Sequence, residues 1–217
     1  MATLGAAPAL ADPPPTTSTA RQELAGLSVA ALHSMDGYAR DKFDIWSTQP
    51  GGCTTRQAVL ARDGKDVQDK SSSCQPESGS WYSAYEDTDV TEVAKATIDH
   101  MVPLAEAWRS FGNDLKDPQL LIASESSNTS KSDSGPADWK PTNHAFWCTY
   151  AADYTHIKSV RKLTTTDDEK KGSRCSRRRP PCGRARAGGS NGFAISRKPS
   201  GTIHPHRPLS MSGTTVN

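Results

Sequence analysis

The distribution of charge along the chain limits how much of it can fold. The segment from Lys170 to Asn217 contains 11 lysines and arginines, seven glycines, five prolines and no aspartate or glutamate. It shows no hydrophobic periodicity, and such a composition buries too little apolar surface to offset the entropy lost on ordering. We therefore predict that residues 166–217 form a basic, disordered tail. The abrupt change of composition near Lys171 also suggests the hypothesis of a shifted reading frame in the coding sequence.

The remainder of the chain has the length and patterning of one folded domain. The segment from Met1 to Glu169 carries 15 basic and 24 acidic side chains, a net charge of −9, and it contains every periodic stretch. We predict a single domain across residues 23–165. The basic tail is suited to a polyanion, although its charge does not specify which one. No apolar run reaches the roughly 18 residues that a membrane span needs, so no membrane contact is expected.

The N-terminal residues have features of an export signal. Ala9-Leu10-Ala11 fits the small-x-small rule for signal-peptide cleavage, and a proline-rich stretch follows it. A basic start and a long apolar core are missing. We interpret residues 1–22 as the remnant of an export signal with a linker, which predicts a secreted protein; a disordered Ala/Pro leader is the alternative.

The five cysteines fit an oxidising compartment. No two of them have the Cys-x-x-Cys spacing of a zinc ribbon. Cys53 and Cys74 would close a polar loop, and Cys148 would pair with Cys175 or Cys182. The alternative is a cytosolic protein with five reduced thiols.

Hydrophobic periodicity predicts a mixed α+β fold. Near-helical spacing of apolar residues predicts one helix within residues 24–35 and another across residues 147–160. The segment "SGSWYSAYEDTDV" is predicted as one strand of a hairpin and "VAKATIDHMV" as the next. Pro103 fits the first turn of a helix that continues to Gly112. Residues 58–60 suit either a short helix or a buried strand.

Two adjacent side chains, Asp99 and His100, suggest phosphodiester hydrolysis. This reaction needs a divalent ion on the phosphate and a base of near-neutral pKa that deprotonates water. Asp99 offers a carboxylate ligand and His100 offers the base, provided that the backbone turns at this point. The later stretch "NTSKSD" adds the neutral oxygen of Asn128, and Lys131 is placed to meet a phosphate oxygen. Mg²⁺ is the expected ion because it prefers hard oxygen ligands and takes only one or two from the protein.

These motifs resemble a known family. "DHMVPLAEAW", "NDLKDPQLL", "SSNTSKSD", "PADWKP" and "WCTYA" occur in this order, and "GYARDKF", "GCTTRQAVLARDG" and "SGSWYSAY" precede them. Together they are similar to the secreted branch of the His-Asn-His (HNH) endonucleases, in its His-Asn-Asn variety, which is related to the nuclease domain of some modification-dependent restriction enzymes. The resemblance covers about residues 24–165.

The resemblance implies a ββα-metal nuclease core with flanking helices, in which a hairpin carries Asp99 and His100 and a helix supplies the last metal ligand. Asp99 and Asn128 would hold the metal ion, and His100 would be the general base. Asn113 would pin the loop that aims the histidine, with Asp117 as its competitor for that role.

Other residues are assigned with less support from the pattern. Glu106 is expected either to support the metal site or to be a solvated helix residue. Arg40 and Arg56 are expected to form structural ion pairs rather than phosphate contacts. Trp108, Trp139 and Trp147 are expected in the core rather than as platforms for bases.

The function predicted from these features is a monomeric, exported endonuclease that cuts DNA, and RNA as a further substrate, with little sequence specificity. Two alternatives stay open. One is a catalytically degenerate relative that binds nucleic acid through its tail. The other is a secreted glycan hydrolase with Asp99 and Glu106 as paired carboxylates.

Overall fold

The computed structural model describes residues 15–43, 46–49, 51–71, 73–110 and 120–175. These ranges form an α+β fold, as the periodicity predicts. The helices are α1 (Thr17–Gly26), α2 (Thr55–Asp63), α3 (Leu104–Arg109), α4 (Glu125–Lys131), α5 (Trp147–Val160) and α6 (Asp167–Gly172). The strands are β1 (Gly64–Asp69), β2 (Pro76–Ser83), β3 (Thr88–Val90), β4 (Ala96–His100) and β5 (Leu120–Ser124). None of the helices in these ranges combines the length and apolarity needed to cross a membrane.

The strands form two small antiparallel sheets. β1, β2 and β3 follow one another in the first sheet, and β4 pairs with β5 in the second, with Ile98 opposite Ile122. The predicted hairpin is therefore wrong in its pairing. "SGSWYSAYEDTDV" folds back on itself to form the end of β2, a turn and β3, whereas β4 takes as its partner a strand that comes after helix α3.

Capping side chains fix where several helices begin. Thr54 and Gln57 form a capping box at α2, so the segment of residues 58–60 is helical, and Val59 and Leu60 are buried. Ser124 ends β5 and also caps α4, since its hydroxyl accepts a hydrogen bond from the amide of Ser127. The chain thus passes from strand to helix without a loop.

The N-terminal helix is displaced from its predicted position. Helix α1 begins at Thr17, inside the segment assigned to the leader, and ends at Gly26 rather than extending to Met35. Beyond Gly26 the backbone is extended and bonds to distant residues: the amide of Ala30 donates to the carbonyl of Thr165, and the amide of His33 donates to the carbonyl of Arg109. These long-range hydrogen bonds override the local helical spacing.

The ordered structure also continues past residue 165. Thr166 and Glu169 form a capping box at the start of α6, and Glu169 is buried against Lys158 of α5. The described part of the predicted tail is therefore folded up to Cys175. Cys182 and the other residues beyond 175 lie outside the described ranges.

Two disulfides join distant segments. Cys53 pairs with Cys74, as predicted, and Cys148 pairs with Cys175, which decides between the two partners left open. The second bond ties helix α5 to the chain after α6. Cys175 lies after the change of composition near Lys171, so Cys148 has its disulfide partner within the basic segment.

The core consists of two apolar clusters on either side of the β4–β5 pair. One surrounds the buried Trp81 and includes Ile98 and Ile122. The other surrounds Tyr85, Tyr150 and Tyr154, whose rings meet at centroid distances of 5.9 and 6.2 Å. Trp108 and Trp139 pack against the second cluster as expected. Trp147, by contrast, is 39% exposed, and its Nε1 donates to the carbonyl of Pro141 instead of packing in either cluster.

Candidate active site

The end of strand β4 brings Asp99 and His100 to one cavity. Adjacent strand residues normally point to opposite faces. Here both residues line the same cavity of about 170 Å³, where the strand ends at His100 and the backbone turns through Pro103 into α3. Both are buried, with exposed fractions of 3% and 7%. The turn that the sequence-based hypothesis required is therefore present.

Asp99 is held by two donors. The hydroxyl of Tyr85 donates to Oδ2 at 2.6 Å, and Nζ of Lys131 donates to Oδ1 at 3.0 Å. Burial raises the pKa of Asp99, and Lys131 and Tyr85 oppose that shift. Burial also raises the pKa of Tyr85 well above its usual value, so Tyr85 stays protonated and keeps donating. Each carboxylate oxygen thus retains lone-pair capacity, but the charge is already balanced within the protein.

Lys131 occupies a different position from the one predicted. Its side chain is 0% exposed, and Nζ also donates to the carbonyl oxygen of His100 at 2.9 Å. Burial lowers the pKa of Lys131, while Asp99 opposes the shift. Its donors are therefore directed at Asp99 and the end of β4 instead of the cavity, where a phosphate oxygen would be. Lys131 is a positioning residue that fixes the backbone of His100.

Asn128 lies one helical turn before Lys131 and also lines the cavity. Its Nδ2 donates to Thr97 Oγ1 at 3.0 Å and to the carbonyl of Ile98 at 3.4 Å. The hydroxyl of Thr97 already donates to the carbonyl of Ala123, so it can only accept from Asn128. The orientation of the amide is thereby determined, and the carbonyl oxygen is the group that Asn128 can offer to a ligand.

His100 is neutral at physiological pH. Burial, reinforced by the positive charges of Arg40 and Lys131, lowers the pKa of His100 to about 4. Its Nε2 is buried without a hydrogen-bond partner among the described residues, a state that costs about 1–3 kcal/mol. Trp46 makes an edge-to-face contact with the ring, at a centroid distance of 5.7 Å.

The remaining wall of the cavity combines polar residues with the apolar Ile98, Pro103 and Leu104. Ser132 and Asp133 follow α4 and line it, and Arg40 enters from the segment before α2. Arg40 is exposed and forms no ion pair with any residue in the described ranges, contrary to expectation. Among the described residues, no three His, Cys, Asp or Glu side chains form a cluster that could hold a metal ion. An ion here would depend on the oxygens of Asp99, Asn128 and Asp133 together with water.

Several predicted residues lie elsewhere. Asn113 and Asp117 fall within residues 111–119, outside the described ranges. Arg56 donates to the carbonyl of Ala96 at 2.8 Å, which is a structural contact but not an ion pair. Glu106 is buried in a separate network, where Oε1 accepts from Lys158 Nζ at 2.9 Å and Ser110 Oγ at 2.8 Å. It is neither a solvated helix residue nor part of the cavity.

Two residues of the site were not predicted as site residues from the sequence. Tyr85 lies in the turn between β2 and β3, outside the sheet that contains Asp99, and Trp46 lies before α2, far from His100 along the chain. Neither belongs to a spacing motif with its partner, so only the tertiary structure identifies them. Asp133, in contrast, lies within the stretch "NTSKSD" that supplies Asn128 and Lys131.

Comparison with known proteins identifies a relative of this chain by sequence similarity. No protein-family model matches the chain, and no solved structure matches it. A protein of Arthroderma benhamiae described as an "uncharacterized secreted protein" is 43% identical over 168 residues, covering 72% of this chain and 82% of the relative. Sequence identity at this level over most of both chains indicates shared ancestry. The chain therefore belongs to the family of this Arthroderma benhamiae protein.

Proposed function

We propose that the protein is an extracellular, divalent-metal-dependent endonuclease that hydrolyses phosphodiester bonds of DNA or RNA. The observation that carries the proposal is the neutral, buried His100, which lines one cavity with Asp99 and Asn128. A base, a carboxylate and an amide oxygen in one cavity are the groups that hydrolysis of a phosphodiester requires.

The local architecture supports a ββα-metal core. Strands β4 and β5 form an antiparallel pair, and α4 follows β5 directly and packs against both strands. His100 lies at the end of the first strand and Asn128 on the helix. This arrangement is similar to the ββα core that the resemblance to HNH endonucleases implies, except that helix α3 lies between the two strands.

The oxygen donors fit a Mg²⁺ ion that keeps most of its waters. Asn128 offers its carbonyl oxygen, Asp99 the lone pairs that Tyr85 and Lys131 leave, and Asp133 a further carboxylate on the same wall. When bound, the ion would neutralise charge on the phosphate and stabilise the leaving oxygen. The low count of protein ligands is consistent with this ion rather than with zinc, which prefers four-coordinate sites with nitrogen and sulfur ligands.

The chain's own residues would act in three ways. His100 accepts a proton from the attacking water, and a phosphate anion in the cavity raises the pKa of its ring because an opposite charge favours the imidazolium. Lys131 and Tyr85 hold Asp99 and the end of β4 in place. Arg40, unpaired within the described ranges, is suited to a phosphate oxygen, and Asn113 remains the predicted anchor of the loop that aims the histidine.

Secretion is supported by two observations. Two disulfides, Cys53–Cys74 and Cys148–Cys175, are typical of proteins that fold in an oxidising compartment. The relative from Arthroderma benhamiae is named as secreted. We therefore propose that the nuclease acts outside the cell.

A plasmid-nicking assay tests the proposed function. We expect the protein to nick supercoiled DNA with Mg²⁺ and to stop when EDTA is added. His100→Ala should abolish nicking, whereas His144→Ala, at a histidine that packs on Trp147 outside the cavity, should retain it. Cleavage that resists EDTA would contradict a metal-dependent mechanism.

The second candidate is a degenerate relative that binds nucleic acid without cutting it. The ion pair between Asp99 and Lys131 favours it, because the ligand charge is already neutralised. Absence of nicking with every divalent ion tested, together with retained DNA binding, would select this candidate. The glycan-hydrolase alternative has no support, since Glu106 does not line the cavity with Asp99 and a paired-carboxylate mechanism needs both acids around one bond.

A further inference from the structure

An exposed indole lies beside the candidate base. Trp46 is 38% exposed and contacts the ring of His100. Trp81, by comparison, is fully buried, and the similarly exposed Trp147 is held by its own contacts: its Nε1 donates to the carbonyl of Pro141, and its ring packs on His144. Trp46 thus leaves a large apolar surface in solvent at the edge of the site, where burial would otherwise stabilise the fold.

The geometry of the contact leaves a face of the indole available. The planes of the Trp46 and His100 rings meet at 66°, so the rings do not stack flat on each other. An edge-to-face contact with the imidazole occupies no more than one of the two indole faces. The exposed 38% of Trp46 is therefore the surface on which a flat ring of another molecule can stack without displacing His100.

The size of the cavity indicates what that ring belongs to. At about 170 Å³, the cavity is smaller than the roughly 300–1,000 Å³ of pockets that enclose a whole small ligand. It can receive a phosphate group, and the exposed Arg40 on its wall has the charge to meet one. A base attached to that phosphate would lie outside the cavity, and Trp46 offers an exposed aromatic ring in contact with His100 of the cavity wall.

We propose that Trp46 stacks on an unpaired nucleobase next to the phosphate in the cavity, so that the site prefers single-stranded nucleic acid. This inference rests on the proposed phosphodiesterase function of the cavity. In a duplex both faces of a base are covered by its neighbours, whereas in a single strand a base can leave the stack and pack on an aromatic side chain. Every base has such a face, so the preference is for strandedness and not for sequence.

The test compares Trp46→Ala and Trp46→Phe with the unsubstituted protein on three substrates of equal length: a single strand, a duplex, and a single strand with abasic residues. Equilibrium binding is measured in EDTA at fixed salt, and cleavage with Mg²⁺. We expect Trp46→Ala to weaken binding and lower kcat/KM about tenfold on the normal single strand. The abasic strand should show no change, and Trp46→Phe should restore most of the loss. Tyr82→Ala, at an aromatic residue that is 41% exposed and does not contact His100, is the matched control and should behave as the unsubstituted protein.

The outcomes separate this inference from the proposed function. Equal losses on normal and abasic strands would mean that Trp46 acts through His100, and they would overturn the stacking role. Cleavage of all substrates without any effect of Trp46→Ala would overturn it too, while leaving the nuclease function intact. Absence of cleavage together with Trp46-dependent binding of the normal strand would overturn the nuclease function and support the stacking site.

Discussion

Lys131 shows how a single residue can set the geometry of the site. Its fully buried ammonium bonds to both Asp99 and the backbone of His100. Lys131→Met retains most of the side-chain volume but leaves a buried carboxylate with Tyr85 as its remaining donor. We expect the free energy of unfolding to fall by about 3–5 kcal/mol, measured by denaturant unfolding at pH 7.

The control for this prediction is Lys95→Met, at a solvent-exposed pair with Glu92, where no measurable change is expected. Combining Lys131→Met with Asp99→Asn should recover part of the loss, because the buried charge is then removed. An unchanged unfolding midpoint for Lys131→Met alone would contradict the role assigned to this ion pair.

We expect Asp153 to contribute to the stability of the fold in a way that depends on pH. It is buried on α5, its Oδ1 has no partner among the described residues, and burial, opposed by His156, raises its pKa to about 6. The folded protein keeps this proton at pH values where the unfolded chain has released it. The contribution of Asp153 to stability is therefore greatest below about pH 4 and is lost as the pH rises to about 6.

Asp153→Asn removes the titrating group and keeps the shape. We expect the unfolding free energy of Asp153→Asn to exceed that of the unsubstituted protein by an amount that grows between about pH 4 and 6. The difference should level off at about 3 kcal/mol. The measurement is denaturant unfolding of both proteins across this range, with Asp138→Asn, at an exposed carboxylate, as the control. A difference that does not vary with pH would show that Asp153 does not titrate as expected.

At the scale of elements, helix α6 depends on one buried side chain. Glu169 accepts hydrogen bonds from Lys158 Nζ at 2.8 Å, Tyr154 Oη at 2.6 Å and the amide of Thr166 at 2.9 Å. Glu169→Ala removes the capping box and one partner of a buried lysine together. We expect unfolding free energy to fall by about 3–5 kcal/mol and the amides of α6 to exchange faster with solvent.

Asp168→Ala is the matched substitution on the same helix, since the Asp168 side chain is 80% exposed. It should leave amide exchange in α6 close to that of the unsubstituted protein. Equal exchange in both variants would show that α6 does not depend on the buried contacts of Glu169.

Local pattern predicted some elements and failed for others. Helix α5 follows from the spacing of Tyr150, Tyr154 and Ile157, which form one buried face. Helix α1 was displaced because the local spacing beyond Gly26 competes with hydrogen bonds to residues far along the chain. The partner of β4 was missed for the same reason: alternation marks a strand but does not identify its neighbour.

At the scale of the whole molecule, the disulfides link segments that are separated along the chain. Peptide mapping without reduction should find Cys53 linked to Cys74 and Cys148 linked to Cys175. The double variant Cys53→Ser/Cys74→Ser should lower the free energy of unfolding by about 3 kcal/mol. Without this disulfide the loop is no longer closed in the unfolded chain, which gains conformational entropy. Cys182→Ser should leave both links in place. A peptide that joins Cys148 to Cys182 would contradict the pairing.

The sequence by itself determined the features that depend on neighbouring residues: the α+β class, the helix of residues 147–160, the adjacency of Asp99 and His100, and the turn that Pro103 allows. It also indicated that "NTSKSD" belongs with them, and Asn128 does line the same cavity. Only the tertiary structure decided which side chains contact Asp99 and His100. Lys131 is directed at Asp99, Tyr85 completes that carboxylate's contacts, and Trp46 lies beside His100. These contacts join residues that are distant along the chain. They form only when packing of the two apolar clusters brings the segments together, so no local preference of the sequence encodes them.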